Sequence, residues 1–491
     1  MRQIFNPYLP LGVYIPDGEP HLFGDRVYVY GSHDASGAKV YCPGHYNVWS
    51  APADDLTDWR DEGTSYLRSQ DPTNAKDRMQ LWAPDVARGA DGRYYLYYCF
   101  PFYPEIGVAV SEKPEGPFRF YGHVCYADGR TLTEDMPFDP AILRDDDGRV
   151  FLYYGFCPAA EKEMQLPKFS EEELAKMPEE KQEIFRVLGS VKLGENSMVA
   201  ELEPDMMTVR TPPKVLIPGG HHTAGTGFEG HGFFEASSIR KIDGRYYFVY
   251  SSHKSHELCY AVSDRPDGGF RYGGTIISNG DIGYRGRTKP AYTLSNNHGG
   301  LVQAGGKTYI FYHRGTDGSE FSRQGCAEEV HILPDGSIPQ VEMTSCGLNG
   351  GPLEAEGMFP AAICCHLTGP ETMDYIDYTD PVHQRETRIR EERNEMFVTN
   401  LHDGSKLGYK YFRYDRPGRL LLEVRGDFQG SVRACLDEDG VREIGCLSLE
   451  ILKERWTLKE LPLQEVAETA PLYLLFRGTG ELQLRSIGFC K

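Results

Sequence analysis

The sequence predicts an all-β protein: a five-bladed β-propeller over residues 1–346 followed by a β-sandwich over residues 347–491. Three observations carry this. The chain is rich in Tyr (31), Phe (24) and Gly (54) and poor in long helical periodicity, as expected for pleated strands joined by tight turns. One turn-plus-strand unit recurs five times in the first two-thirds of the chain. At 491 residues the chain also exceeds the roughly 250–300 residues at which a single core stops growing, so two domains are expected.

The five units are Gly24–Gly31, Asp91–Tyr98, Asp147–Tyr154, Asp243–Tyr250 and Gly305–Tyr312. Each opens on a Gly-containing turn and runs into an alternating aromatic and β-branched strand, a hairpin signal. A second strand and a Pro- or Gly-rich turn follow most of them, as in Ile106–Pro114 and Leu258–Pro266. Short antiparallel sheets repeated at this spacing must hide their edges, and radial stacking does so. The interval between the third and fourth units is the longest. There, Leu166–Pro178 and the charged run after it predict a helical surface insertion, with Ser170 and Glu173 spaced as a capping box. Beyond a linker at Gly347–Pro352, four short strands are expected at Arg419–Arg425, Ser431–Leu436, Pro471–Phe476 and Glu481–Phe489.

A formal charge of −20 argues against nucleic acid or an anionic membrane as partner and suits a neutral ligand such as a sugar. No run of about 20 apolar residues offers a membrane span, and no apolar leader follows Met1. Twelve scattered cysteines without a C-x-x-C pair read as buried thiols in a reducing compartment, so the expected location is the cytoplasm.

Three acids precede repeat strands at comparable offsets: Asp17 before the first unit, Asp139 before the third and Glu235 before the fourth. The innermost strand of each blade lines the axis of a propeller, so the three carboxyls are expected to converge there. With no cation near them in sequence they repel one another, which raises at least one pKa and supplies a neutral general acid. Each taken alone is equally a solvated or turn-capping carboxylate.

The residues Pro16-Asp17 with Gly31-Ser-His-Asp34, Trp82-Ala-Pro-Asp85, Phe138-Asp-Pro140 with Asp145-Asp-Asp-Gly148, and Phe234-Glu235 resemble, in that order, the signature of glycoside hydrolase family 43. These enzymes are five-bladed propellers acting on arabinose- and xylose-containing glycans. The chain departs from many relatives at Asp17-Gly-Glu19, where they carry Asp-Pro-Ser. The resemblance implies an inverting mechanism, with Asp17 as general base, Glu235 as general acid and Asp139 orienting Glu235 and raising its pKa. Inversion requires two carboxyls about 6.5–9.5 Å apart. The resemblance further implies that Arg323 faces sugar hydroxyls and that His298, in Asn296-Asn-His-Gly-Gly300, binds an axial calcium ion through water. One histidine is not the oxygen-rich cage calcium prefers, so such an ion would be largely hydrated.

Trp82, one of four tryptophans, is either a sugar-stacking wall or core packing, and His33 is either a pocket-rim residue or a structural hydrogen bond. The C-terminal strands are similar to the sandwich appended to some family members and to family 6 carbohydrate-binding modules. With Trp456 the only indole there, packing is the expected role of this domain. The function expected from the whole is release of terminal α-L-arabinofuranosyl residues from pentose-containing oligosaccharides, with β-D-xylosidase activity in addition. A pure β-D-xylosidase and a non-catalytic sugar-binding propeller are the alternatives.

Overall fold

The computed structural model describes residues 2–101, 103–158, 169–177, 182, 186, 192–370 and 385–491. Its first part is a five-bladed β-propeller. The blades are sheets of four strands (Glu19–Phe23 to Arg60–Tyr66), four (Trp82–Arg88 to Arg119–His123), five (Ala141–Arg144 to Thr208–Pro218, edged by Cys125–Tyr126), four (Phe233–Ile242 to Arg271–Ser278) and three (Leu301–Ala304 to Ser319–Val330). Every repeat seen in the sequence is a hairpin between the first and second strand of a blade.

The ring closes where blade five meets blade one. Gly18 and Gly299 form a parallel bridge. The N-terminal segment runs along the free edge of the last strand: the Tyr8 amide donates to the Gly325 carbonyl at 3.1 Å, and Asn6 Oδ1 accepts from the Ala327 amide at 3.0 Å. An edge that would otherwise invite foreign strands is thereby paired. At the axis the approach is close enough to require glycine, since a Cβ on Gly300 would lie 2.6 Å from Glu19 Oε2.

In the insertion, the capping box forms around a single helical turn, Glu171–Leu174; most of the charged run after it lies outside the described residues. No helix among the described residues is long and apolar enough to cross a membrane.

The expected boundary at 346/347 lies between the last propeller strand, ending at Val330, and the first strand of the C-terminal unit, Leu353–Glu354. That unit is a β-sandwich whose nine strands join in one hydrogen-bonded sheet. The four short strands expected there are halves of two long ones, Arg419–Cys435 and Thr469–Cys490, and a third long strand, Glu443–Pro462, was not foreseen. The glycines between the expected short strands pair across the sheet instead, Gly426 with Leu482, Gly430 with Gly478 and Phe428 with Gly480.

One apolar core runs from Tyr247, Val249 and Leu258 of blade four and Leu301, Ile310 and Tyr312 of blade five into Ile363, Leu367, Tyr409 and Leu422 of the sandwich. Buried polar contacts fix the same junction. Arg314 donates to the carbonyls of Ala362 and Cys364, both at 2.6 Å, and His366 Nε2 meets Asp281 Oδ2 at 2.9 Å.

Candidate active site

Each blade delivers the start of its innermost strand to one cavity of about 390 Å³ on the propeller axis. Blade one brings Asp17, blade two Trp82 and Ala83, blade three Phe138 and Asp139, blade four Phe234 and Glu235, and blade five Asn296 and His298, with Arg323 from its last strand. The three acids predicted to converge therefore share one site. Trp82, His298 and Arg323 line it as well.

The backbone is strained where it turns side chains inward. Asp17, Cys42, Ala83, Asp139 and Ser255 all line the cavity and all have positive φ, between 29° and 64°, a region costly for residues other than glycine. Glu235 is aimed by a bulge: the register of its strand shifts on both sides of it, and Ala236 next to it has φ 68°. Asp139 Oδ2 accepts the Ala236 amide at 3.1 Å and so holds this bulge.

The carboxyls differ in their partners. Burial alone would raise Asp17, but Arg323, whose Nη1 lies 3.0 Å from Asp17 Oδ1, brings it below the ordinary carboxylate value. Arg323 is held in turn by Asp34, at 2.8 Å from Nε and 3.1 Å from Nη2, a bidentate fork. The matching cation that the sequence lacks near Asp17 thus arrives from 306 residues away. His313 Nδ1 accepts the Asp17 amide at 3.2 Å, and burial, with Arg323 next, lowers its ring to about 3, so it is neutral.

Among the described residues Glu235 has no such partner. Burial pushes it up to about 8, with Asp17 and Glu320 adding to the rise and Arg323 opposing it. Asp139 is pushed well above its ordinary value by burial, then by Glu235 and Asp17. At neutral pH the cavity therefore presents Asp17 ionised opposite Glu235 protonated.

One wall is aromatic. Trp82 packs edge-on against Phe138 at 5.6 Å, while Phe138 meets Phe156 at 4.8 Å and Phe156 meets Phe234 at 5.3 Å, both tilted. His33 does not line the cavity; its Nδ1 is 3.0 Å from the His45 carbonyl, the structural hydrogen bond of its two readings. Asp34, Tyr41, His313 and Glu320 were not singled out from sequence, although Asp34 ends the quoted Gly31–Asp34 motif.

On the axis beside the carboxyls, His298 Nδ1 is 3.7 Å from Asp139 Oδ2, and its Nε2 is 3.7 Å from Glu19 Oε1. His298 Nε2 and Glu19 Oε1 are buried and have no hydrogen-bond partner among the described residues. Glu19, His21 and Asp85 also present ligand atoms within 4.8 Å of one another. Arg240 pairs with Glu19 Oε2 at 2.8 Å and takes up only that oxygen. Two facing, unpartnered acceptor atoms fit a cation between them.

The sequence profile of Glycosyl hydrolases family 43 matches residues 20–338. The chain belongs to glycoside hydrolase family 43. A relative named xylosidase/arabinosidase, from Thermoclostridium stercorarium, is 41% identical over 502 residues, covering 100% of this chain and 99% of the relative. Among solved structures, a family 43 arabinoxylan arabinofuranohydrolase from Bacillus subtilis, in complex with cellotetraose, shares the fold of the whole chain. Its TM-score is 0.51 at 20% identity, with 99% of this chain and 97% of that one covered. A family 43 β-xylosidase/α-arabinofuranosidase from a compost microbial metagenome, in complex with xylotriose and in a calcium-free form, has a TM-score of 0.50 at 26% identity, covering 70% of this chain and 98% of that one. This chain is thus a glycoside hydrolase, and the cavity described above is the family 43 candidate active site.

Proposed function

We propose that this glycoside hydrolase is inverting and exo-acting, releasing terminal α-L-arabinofuranosyl residues from arabinoxylan and arabinan oligosaccharides and also cleaving β-D-xylosides. The observation that carries the reading is the opposed electrostatics of two carboxyls in one cavity: Asp17 held ionised by Arg323, Glu235 held protonated to about pH 8. Asp17 takes a proton from the water that attacks the anomeric carbon. Glu235 gives its proton to the glycosidic oxygen as the carbon–oxygen bond breaks. Each turn leaves Asp17 protonated and Glu235 ionised, and exchange with solvent resets both. Asp139 is the positioning residue, through the bulge at Ala236. Substrate choice follows the double names of the Thermoclostridium and metagenomic relatives. A cavity of about 390 Å³ with one aromatic wall suits a terminal sugar ring rather than a long polymer segment.

A calcium ion fits between Glu19 Oε1 and His298 Nε2, and when bound it would add positive potential beneath the carboxyls. All twelve cysteines are free, which favours the cytoplasm as the working compartment; cell fractionation tests that placement.

Initial rates on the nitrophenyl α-L-arabinofuranoside and β-D-xyloside test the substrate reading, and a xyloside preference of more than about tenfold would replace it with a pure β-D-xylosidase. Glu235→Gln separates enzyme from binder: turnover should fall by about 10³-fold or more with sugar binding retained.

A further inference from the structure

Glu320 is the one carboxylate of the cavity wall that the mechanism above leaves without a task. It is the second residue of the strand Ser319–Val330, just past the turn at Asp317 and Gly318, both of which have positive φ. Its Oε2 accepts a hydrogen bond from the Tyr41 hydroxyl. Tyr41 in turn is clamped from three sides: the Arg323 guanidinium lies 4.9 Å from its ring centre, Phe321 packs edge-on at 4.7 Å and Trp82 at 5.9 Å. Oε1 of Glu320 receives no hydrogen bond, and no cation pairs with the carboxylate, among the described residues.

Depth in the cavity orders the groups. Asp17, Arg323 and His298 lie at the closed end, 5%, 2% and 5% exposed, whereas Tyr41, Glu235 and Glu320 are partly open to solvent. A terminal sugar enters the closed end, so the part of the substrate that leaves points outward past Glu235. Glu320 and Glu235 line the same cavity, and both belong to its partly open part. The oxygen that Glu235 protonates therefore carries a group that emerges beside Glu320.

We propose that Glu320, braced by Tyr41, binds hydroxyl groups of the departing sugar and is a specificity residue for the leaving-group side of the cavity. The proposal rests on the hydrolase reading given above. An anionic acceptor with a free oxygen selects a leaving group that offers hydroxyl donors over one that offers none.

The test compares an unsubstituted pentose oligosaccharide, whose leaving group is a sugar, with the nitrophenyl glycoside of the same pentose, whose leaving group has no hydroxyl donor. In Glu320→Ala the loss of kcat/KM on the oligosaccharide should exceed that on the nitrophenyl glycoside by about 10- to 100-fold, the size of one hydrogen bond to a charged group. Glu320→Gln keeps an amide oxygen for Tyr41 and removes the charge. It should show a smaller difference of the same sign. Losses equal on the two substrates would overturn the proposal. Wild-type protein inactive on both substrates would instead remove the hydrolase reading beneath it.

Discussion

Asp139 Oδ2 on the third blade accepts the backbone amide of Ala236 on the fourth, at 3.1 Å, so the residue next to Glu235 is pinned by the carboxyl of its neighbour blade. Ala236 sits at φ 68° in a bulge that would relax without this bond. In Asp139→Ala, kcat should fall by about 10²-fold, the cost of displacing a reacting group by about 1 Å, with a smaller change in KM. Steady-state kinetics beside a thermal melt would show whether the loss is local. A melt lowered as much as kcat would argue for a structural role instead.

The pH dependence follows from the two environments. Glu235 acts protonated, so activity is lost as pH rises through about 8. Asp17 acts ionised and is held below the ordinary carboxylate value of 3.8, so activity is lost only as pH falls below that value. A kcat/KM profile should therefore be flat through the neutral range with its alkaline limb near 8. An alkaline limb near pH 5 would show that Glu235 is not raised.

Arg323 and Asp34 form a buried pair, their side chains 3% and 0% exposed. Asp34→Ala leaves a buried guanidinium one carboxylate short. The expected cost is about 3–5 kcal/mol in urea unfolding, accompanied by loss of activity as Asp17 loses its fixed partner. A change below about 1 kcal/mol would mean the pair is solvated in solution.

Ion binding has its own signature. If Glu19 and His298 hold calcium, a saturating ion should raise Tm, as any ligand of the native state does, by an amount equivalent to about 2.7 kcal/mol at 100 times Kd. Glu19→Gln and His298→Ala should each abolish the shift. A melt insensitive to both chelator and calcium would leave Glu19 Oε1 and His298 Nε2 to water alone.

The local hairpin chemistry of the propeller was legible because each blade announces itself over about ten residues, as at Asp243-Gly244, where the turn and both strands are adjacent in the chain. Asp17 and Asp139 were legible for the same reason: each lies two residues before the inner strand of its blade, which starts at Glu19 or Ala141. Glu235 instead sits inside its strand, and the bulge that lets it turn inward depends on Asp139, 97 residues away. Arg323 and Asp34 are 289 residues apart, and no spacing rule joins them. The strand lengths of the sandwich were missed for a different reason. Gly426, Gly478 and Gly480 carry a turn signal locally, yet long-range pairing threads them into continuous strands. The strand Glu443–Pro462 mixes apolar residues with charged ones such as Glu450 and Lys459, which weakens its strand signal.

The central claim is that Asp17 activates water while Glu235 protonates the leaving oxygen, a single displacement. Proton NMR of the first-formed sugar, recorded before mutarotation, tests it most directly. The account predicts that a β-D-xyloside yields α-xylose first. β-Xylose as the first product would mean a covalent intermediate on one of the carboxyls and would contradict the assignment of Asp17 as base.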